Sequence, residues 1–208
     1  MSESNGLSVT GISTVTVAPD TATVELGVSV LAPSAAEAAA QATEAANSLS
    51  AALAANGVDQ ADIRTSRYSL AAEYEWTDQG RRDLGYRALN SVHARIRDLS
   101  SVGAVIDAAV AAAGDAATVN SLDFSVSDRS AALTRARAAA WEDVRARADH
   151  LAELSGVTLG RPIEIVEEEG GPMPPTPKML RMEAASATPV EPGTLEVTTT
   201  IRARFRID

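Results

Sequence analysis

Apolar and polar residues alternate from Tyr86 to Arg97, with Leu89 and Asn90 as the exceptions. Tyr86, Ala88, Asn90, Val92, Ala94 and Ile96 take one side, and Arg87, Leu89, Ser91, His93, Arg95 and Arg97 the other. Strand side chains point to opposite faces in turn, so this stretch predicts a long strand with one apolar face. The spacing then changes to three and four at Val102, Ile106, Ala109, Val110 and Ala113, which predicts a helix over 101–113. Gly114 ends it, because glycine accepts the left-handed backbone of a helix C-terminus.

The same reading covers the rest of the chain. Residues 1–7 form a polar tail, expected to be flexible. Alternation over 8–17 and 21–31 predicts two strands joined through Ala18-Pro19-Asp20 as a tight hairpin, with Gly11 as a bulge candidate. Ser34 followed by Glu37 is a capping box for a helix reaching about Ala55. A strand over 63–76 returns through the polar insert 77–83 to the long strand. A further strand over 119–126 leads from Ser127-Asp128 into a helix ending at Gly156, with Leu133, Ala136, Ala140, Val144, Ala148 and Leu151 as its buried stripe. Strands follow over 161–168, where Ile163 and Ile165 form the apolar face, and over 194–207, where alternate residues from Leu195 to Ile207 face in. Between these two strands the composition shifts to proline and methionine, predicting a long flexible loop over 169–193.

An internal duplication runs through this order. GVSVLAPSAAEAA (27–39) and DFSVSDRSAALTR (123–135) each lead a strand into a helix, and VHARIR (92–97) matches IRARFR (201–206). The chain therefore reads as a single domain, 8–208, of two β-α-β-β pseudo-repeats, about 21–98 and 119–208, with an extra N-terminal strand and the 101–113 linking helix. The predicted fold class is α+β, a mainly antiparallel sheet with helices packed on one face.

The Val17-Ala18-Pro19-Asp20 turn, Gly85-Tyr86 followed by Asn90, Arg97-Asp98-Leu99, Val102-Gly103, Ile106-Asp107 and the Ala136–Gly156 stretch with Leu159-Gly160 resemble the SIMPL-domain family in order and spacing. The likeness spans about Leu7 to Asp208. It implies an α+β fold, no settled enzymatic activity, a noncatalytic interaction or assembly role, and a homo-oligomer. Bacterial periplasmic antigens belong to that family, and a stress- or envelope-related role is what the resemblance implies.

Composition narrows the chemistry. Alanine carries much of the apolar content, and only 3% of residues are aromatic, so large anchors such as Trp141 and Phe205 matter to the core. A formal charge of −10 argues against nucleic acid as a partner, since phosphate neutralisation needs clustered cations. The chain has no cysteine, which rules out thiol chemistry and thiolate metal sites. No stretch of about 18 apolar residues is expected to span a membrane. The N-terminus lacks signal-peptide features, which predicts a cytoplasmic protein, or a periplasmic one if an export signal has been removed.

His93 and His150 stand without HxH or HExxH spacing, no serine sits in a G-x-S-x-G elbow, and no glycine-rich phosphate loop is present. Catalytic, cofactor and metal residues are therefore predicted as none. Two features suit binding. His93, Arg95 and Arg97 share one strand face, and Arg202, Arg204 and Arg206 share one face of the repeat strand. In one sheet they would form an anion-binding patch, unless Glu25, Glu73, Glu75, Asp123, Glu164 and Glu196 pair with them. Met173, Met179 and Met182 in the 169–193 loop are adaptable contact residues for a partner.

Overall fold

The computed structural model describes residues 6–169 and 188–208. In chain order the elements are β1 (Gly6–Val17), β2 (Thr21–Ala32), α1 (Ala35–Ala55), β3 (Ile63–Thr77), β4 (Gly80–Ile96), α2 (Val102–Ala113), β5 (Ala117–Ser125), α3 (Ser130–Ser155), β6 (Leu159–Glu169) and β7 (Leu195–Ile207). The fold is α+β with two antiparallel sheets. Contacts group into two compact units, one of residues 20–125 with 188–192, the other of 6–19, 126–169 and 193–208.

In the first unit the strands lie in the order β3-β4-β2-β5. Val24, Leu26 and Val28 of β2 and Ala88, Val92, Ala94 and Ile96 of β4 face one way, as the alternation requires. They form one core with Ala38, Ala42, Leu49 and Leu53 of α1 and Val102, Val105, Ile106 and Ala109 of α2. The cap of α1 is the expected one: Ser34 Oγ accepts from the Glu37 N–H at 3.2 Å. Leu99–Ala116 is, by length and composition, apolar enough to cross a membrane. Its α-helical part is only α2, however, whose 12 residues span about 18 Å against a hydrocarbon core of about 30 Å. The buried side of α2 belongs to the core just described, which makes it a core helix.

The second unit orders its strands β1-β7-β6 beneath α3. Val9, Ile201, Ala203 and Phe205 pack against Ala140, Val144 and Ala148, and Trp141 lies against Phe205 at 6.2 Å between ring centroids. Full burial of Phe205 is worth about 1.5–3 kcal/mol, a large share for a core otherwise built from small side chains. The buried line of α3 is Ala132, Ala136, Ala140, Val144, Ala148 and Ala152. Leu133 is only half-buried and Leu151 exposed, because the helix presents its smallest side chains to the sheet. Ile163 and Ile165 are also exposed, since α3 lies over β1 and β7 and meets the edge strand β6 only marginally.

Two local expectations change. The β1–β2 hairpin does not form: β1 pairs along its whole length with β7, and β2 pairs with β4 and β5. The stiff Ala18-Pro19-Asp20 segment hands the chain from one sheet to the other. Gly11 is no bulge, as the β1–β7 register is unbroken. Its missing side chain lets α3 approach, because a Cβ there would sit 2.5 Å from the Ala140 carbonyl oxygen and 2.7 Å from Val144 N.

Part of the predicted 169–193 loop is placed. Glu169 completes β6, and Thr188 donates to Asp107 of α2 through its N–H at 3.1 Å and its hydroxyl at 2.6 Å. Val190 packs against the core of the first unit.

Candidate functional site

The four-stranded sheet turns a polar face away from its helices. Register sets its residues in rows: Glu25, His93 and Arg64 lie side by side across β2, β4 and β3, and Asp123, Thr23 and Arg95 across β5, β2 and β4. His93 Nε2 is 3.8 Å from Glu25 Oε2, and Arg64 Nη2 is 3.5 Å from His93 Nδ1. The Ser66 hydroxyl donates to Glu25 Oε1 at 3.1 Å. A depression of about 230 Å³ opens here, lined by Thr23, Ala61, Asp62, Arg64, His93 and Arg95. Arg95 is exposed and makes no hydrogen bond or ion pair among the described residues.

The other predicted cations take different places. Arg97 closes a fork on Asp62, with Nε and Nη2 at 2.9 and 3.0 Å from its two oxygens. That hydrogen-bonded carboxylate holds the guanidinium above its ordinary pKa and ties the end of β4 to the turn before β3. Arg202, Arg204 and Arg206 lie on β7, in the other sheet. Arg204 stands opposite Ser8 and Glu164 in register, and Arg206 Nε is 3.6 Å from Asp208. Arg202 has no such partner among the described residues. The condition for a six-cation face, both strands in one sheet, is therefore not met. Each of β4 and β7 commits its apolar face to a separate core, and β1 rather than β4 takes the free edge of β7. Met173, Met179 and Met182 lie outside the described residues.

A second feature escaped the sequence reading. Pairing of β2 with β4 ends at Ala32 and Tyr86, while β3 and β4 continue together to Thr77 and Gly80. A two-stranded ribbon thus extends past the sheet. It is closed by Thr77, whose hydroxyl donates to the Gly80 carbonyl at 2.9 Å, and Gly80 adopts φ +104°. All three tyrosines and one of the two tryptophans sit on these strands, and all four are exposed: Tyr68, Tyr74, Trp76 and Tyr86. Trp76 is 76% exposed. Tyr74 and Trp76 meet edge-to-face at 6.3 Å, and the Arg81 guanidinium lies 4.3 Å above the Tyr74 ring.

At the base of the ribbon Arg87 grips Glu73 in a two-pronged ion pair, with Nη2 to Oε1 at 2.8 Å, and Nη1 donates to Ser29 at 3.0 Å. The hydrogen bonds from Arg87 hold the Glu73 carboxyl below the usual range. The signal in the sequence was available: four aromatics within 19 residues of a chain that is 3% aromatic.

Of the histidines, His93 belongs to the row above. His150, near the end of α3, borders a shallow depression with Val9, Arg147 and Leu151. No group of three metal-ligating side chains comes together among the described residues.

Residues 7–205 match the family profile named SIMPL and described as a protein of unknown function (DUF541). The chain belongs to the SIMPL family. Among its SIMPL relatives, the 26 kDa periplasmic immunogenic protein of Brucella melitensis is 32% identical over 178 residues, covering 81% of this chain and 68% of the relative. The uncharacterized protein YggE of Edwardsiella ictaluri is 30% identical, covering 85% of this chain and 72% of its own. YggE of Escherichia coli K12 is likewise 30% identical, with 86% and 72% covered.

Proposed function

We propose that this SIMPL protein is a noncatalytic interaction and assembly protein that associates with copies of itself. The observation that carries the reading is the edge strand β3 with its ribbon: Trp76, Tyr74 and Tyr68 present large apolar rings to solvent along it, as contact surfaces do. The neighbouring charges favour docking over ligand capture, because Arg87 and Arg82 are already matched to Glu73 and Glu75. The name of the Brucella relative supports a periplasmic placement over the cytoplasmic one. Sedimentation velocity across a hundredfold concentration range tests the reading. Growth of larger species with concentration is expected, and a monomer throughout overturns it.

One observation favours a second reading, anion binding. Arg95 has no partner among the described residues and lies beside Thr23 and Arg64 in the depression of about 230 Å³. A small phosphorylated or carboxylate ligand would complete it, although Asp62 and Glu25 border the same space. Thermal-shift titration with inorganic phosphate and acidic metabolites, on wild type and Arg95→Ala, decides this. Salt-sensitive stabilisation lost in Arg95→Ala supports binding, and no stabilisation by any anion refutes it.

A further inference from the structure

We propose that two copies of this chain join edge to edge through β3, antiparallel about Ala71, so that Arg67 of each copy meets Glu75 of the other. The proposal rests on the self-association reading above and specifies its contact.

β3 is an outer strand of its sheet, so one side of its backbone faces away from β4. Such an edge recruits another strand unless something blocks it. The other edges are defended or short. On β1 the Ile12 N–H is taken by Asp143 of α3 at 3.2 Å. On β6, Pro162 removes a donor, and Glu164, Glu167 and Glu168 would set like charges against each other in a self-pair. β5 has nine residues and pairs with β2 through a bulge. β3 has 15 residues and carries none of these guards along its middle.

The register follows from geometry. The only extra residue within β3 is Ser66, and at the second irregularity the extra residue, Leu84, lies on β4. β3 therefore alternates regularly from Arg67 onward. A two-fold axis perpendicular to the sheet keeps each residue on its own face, so paired residue numbers must add to an even sum. The sum that pairs Arg67 with Glu75 also sets Tyr68 against Tyr74, Ser69 against Glu73, Leu70 against Ala72, and Ala71 against itself.

Tyr68, Leu70, Ala72 and Tyr74 then all gain partners on one face, and the charge pairs close both ends on the other. Arg67 makes no hydrogen bond or ion pair among the described residues. Glu75 uses Oε1 for Arg82 at 2.9 Å, which leaves Oε2 for the second copy. The strand's basic half and acidic half are thus complementary only when two copies run antiparallel. The paired segment ends where the Ser66 bulge begins in each copy.

The chain has no cysteine, so single-cysteine variants of the full-length protein report on this contact directly. Opposed residues in an antiparallel pair have Cα atoms about 4.5–5.5 Å apart, within disulfide reach. The two copies of residue 69 would be about 14 Å apart, beyond it. Under mild oxidant at a concentration where sedimentation shows association, Ala71→Cys should cross-link about tenfold faster than Ser69→Cys. Arg67→Glu and Glu75→Lys should each weaken association alone, and an equimolar mixture of the two should restore it as a heterodimer.

Association that persists with no preference for Cys at 71, or with both charge variants unaffected, overturns pairing through β3 and leaves self-association standing. A wild-type chain that stays monomeric at every concentration overturns both.

Discussion

Gly11→Ala is the sharpest test of how β1 and α3 fit. An added Cβ would stand 2.5 Å from the Ala140 carbonyl oxygen, 2.7 Å from Val144 N and 2.8 Å from Val144 Cγ2. Ordinary contact begins near 3.4 Å. Two of the three obstacles are helix backbone, which no rotamer change can move. The helix must therefore withdraw by roughly 1 Å, loosening Ala140, Val144 and Ala148 from Val9, Ile201 and Phe205 together. Overpacking of this kind costs about 1–3 kcal/mol. Against it stands a gain of about 0.4–1 kcal/mol, because alanine restricts the unfolded chain more than glycine and the backbone at Gly11 does not require a positive φ.

The net expectation is a loss of about 1–2 kcal/mol. Urea denaturation followed by circular dichroism should show a lower midpoint with an unchanged slope. Val144→Ala in the same background should recover only a small part, since it removes the Cγ2 contact and leaves the carbonyl in place. The decisive quantity is the sign. If Gly11→Ala stabilises the protein, as it would in an unobstructed strand, the close approach of α3 to β1 is refuted.

The remaining expectations concern single groups. Thr199 is fully buried on β7, and its hydroxyl has no hydrogen-bond partner among the described residues, so Thr199→Val should be neutral or stabilise by up to about 1 kcal/mol in the same denaturation assay. Asp143 accepts from Arg147 and from the Ile12 N–H, which hold its carboxyl below the ordinary value. Its contribution is therefore present above the unfolded value of about 3.9 and is lost as pH falls through the folded pKa, so wild type and Asp143→Asn should converge in stability at low pH and differ at neutral pH. Replacing 171–187 with a short Gly/Ser turn should change stability by no more than about 1–2 kcal/mol, because closure entropy varies slowly with loop length. Extending that deletion through Thr188 and Val190 should destabilise further, since it removes both bonds to Asp107 and a core contact.

Much of this fold was legible because its elements announce themselves locally. The alternation from Leu195 to Phe205 buries each predicted residue, and Ser34, Gly114 and Gly156 begin or end helices where their chemistry requires. What failed depended on partners. Leu151 fits a helical stripe as well as Ala152 does, and only the distance allowed between α3 and the sheet selects the smaller residue. Ile163 and Ile165 alternate like core residues, yet α3 touches their strand only at its margin, where Arg137 bonds Glu167 at 2.7 Å, and leaves both exposed. The site suffered most, because Arg95 and Arg204 form one patch only if their strands share a sheet, and β4 and β7 do not. The aromatic ribbon is hard to read for the opposite reason: residues 77–83 mark only a turn, and Tyr74, Trp76 and Tyr86 alternate as ordinary strand residues do.

The duplication explains why strand partners were the hard part. In the first repeat β2 leads into α1, β3 and β4, and in the second β5 leads into α3, β6 and β7. By analogy β5 belongs beside β7, as β2 lies beside β4. Instead β5 pairs with β2, and β1 takes the place beside β7. A period-two pattern says that a strand has a buried face but not which edge will receive it. β1, with Val9, Val15 and Val17 alternating and Gly11 fitted to the α3 backbone, suits the position beneath that helix. β5 brings Leu122 and Phe124 to the core of the first unit and places Asp123 in the row with Thr23 and Arg95. The exchange thus sets the make-up of the polar sheet face: one edge takes a carboxylate from the second repeat, and the other, β3, carries an exposed Arg67 at one end and the half-buried Glu73 and Glu75 at the other.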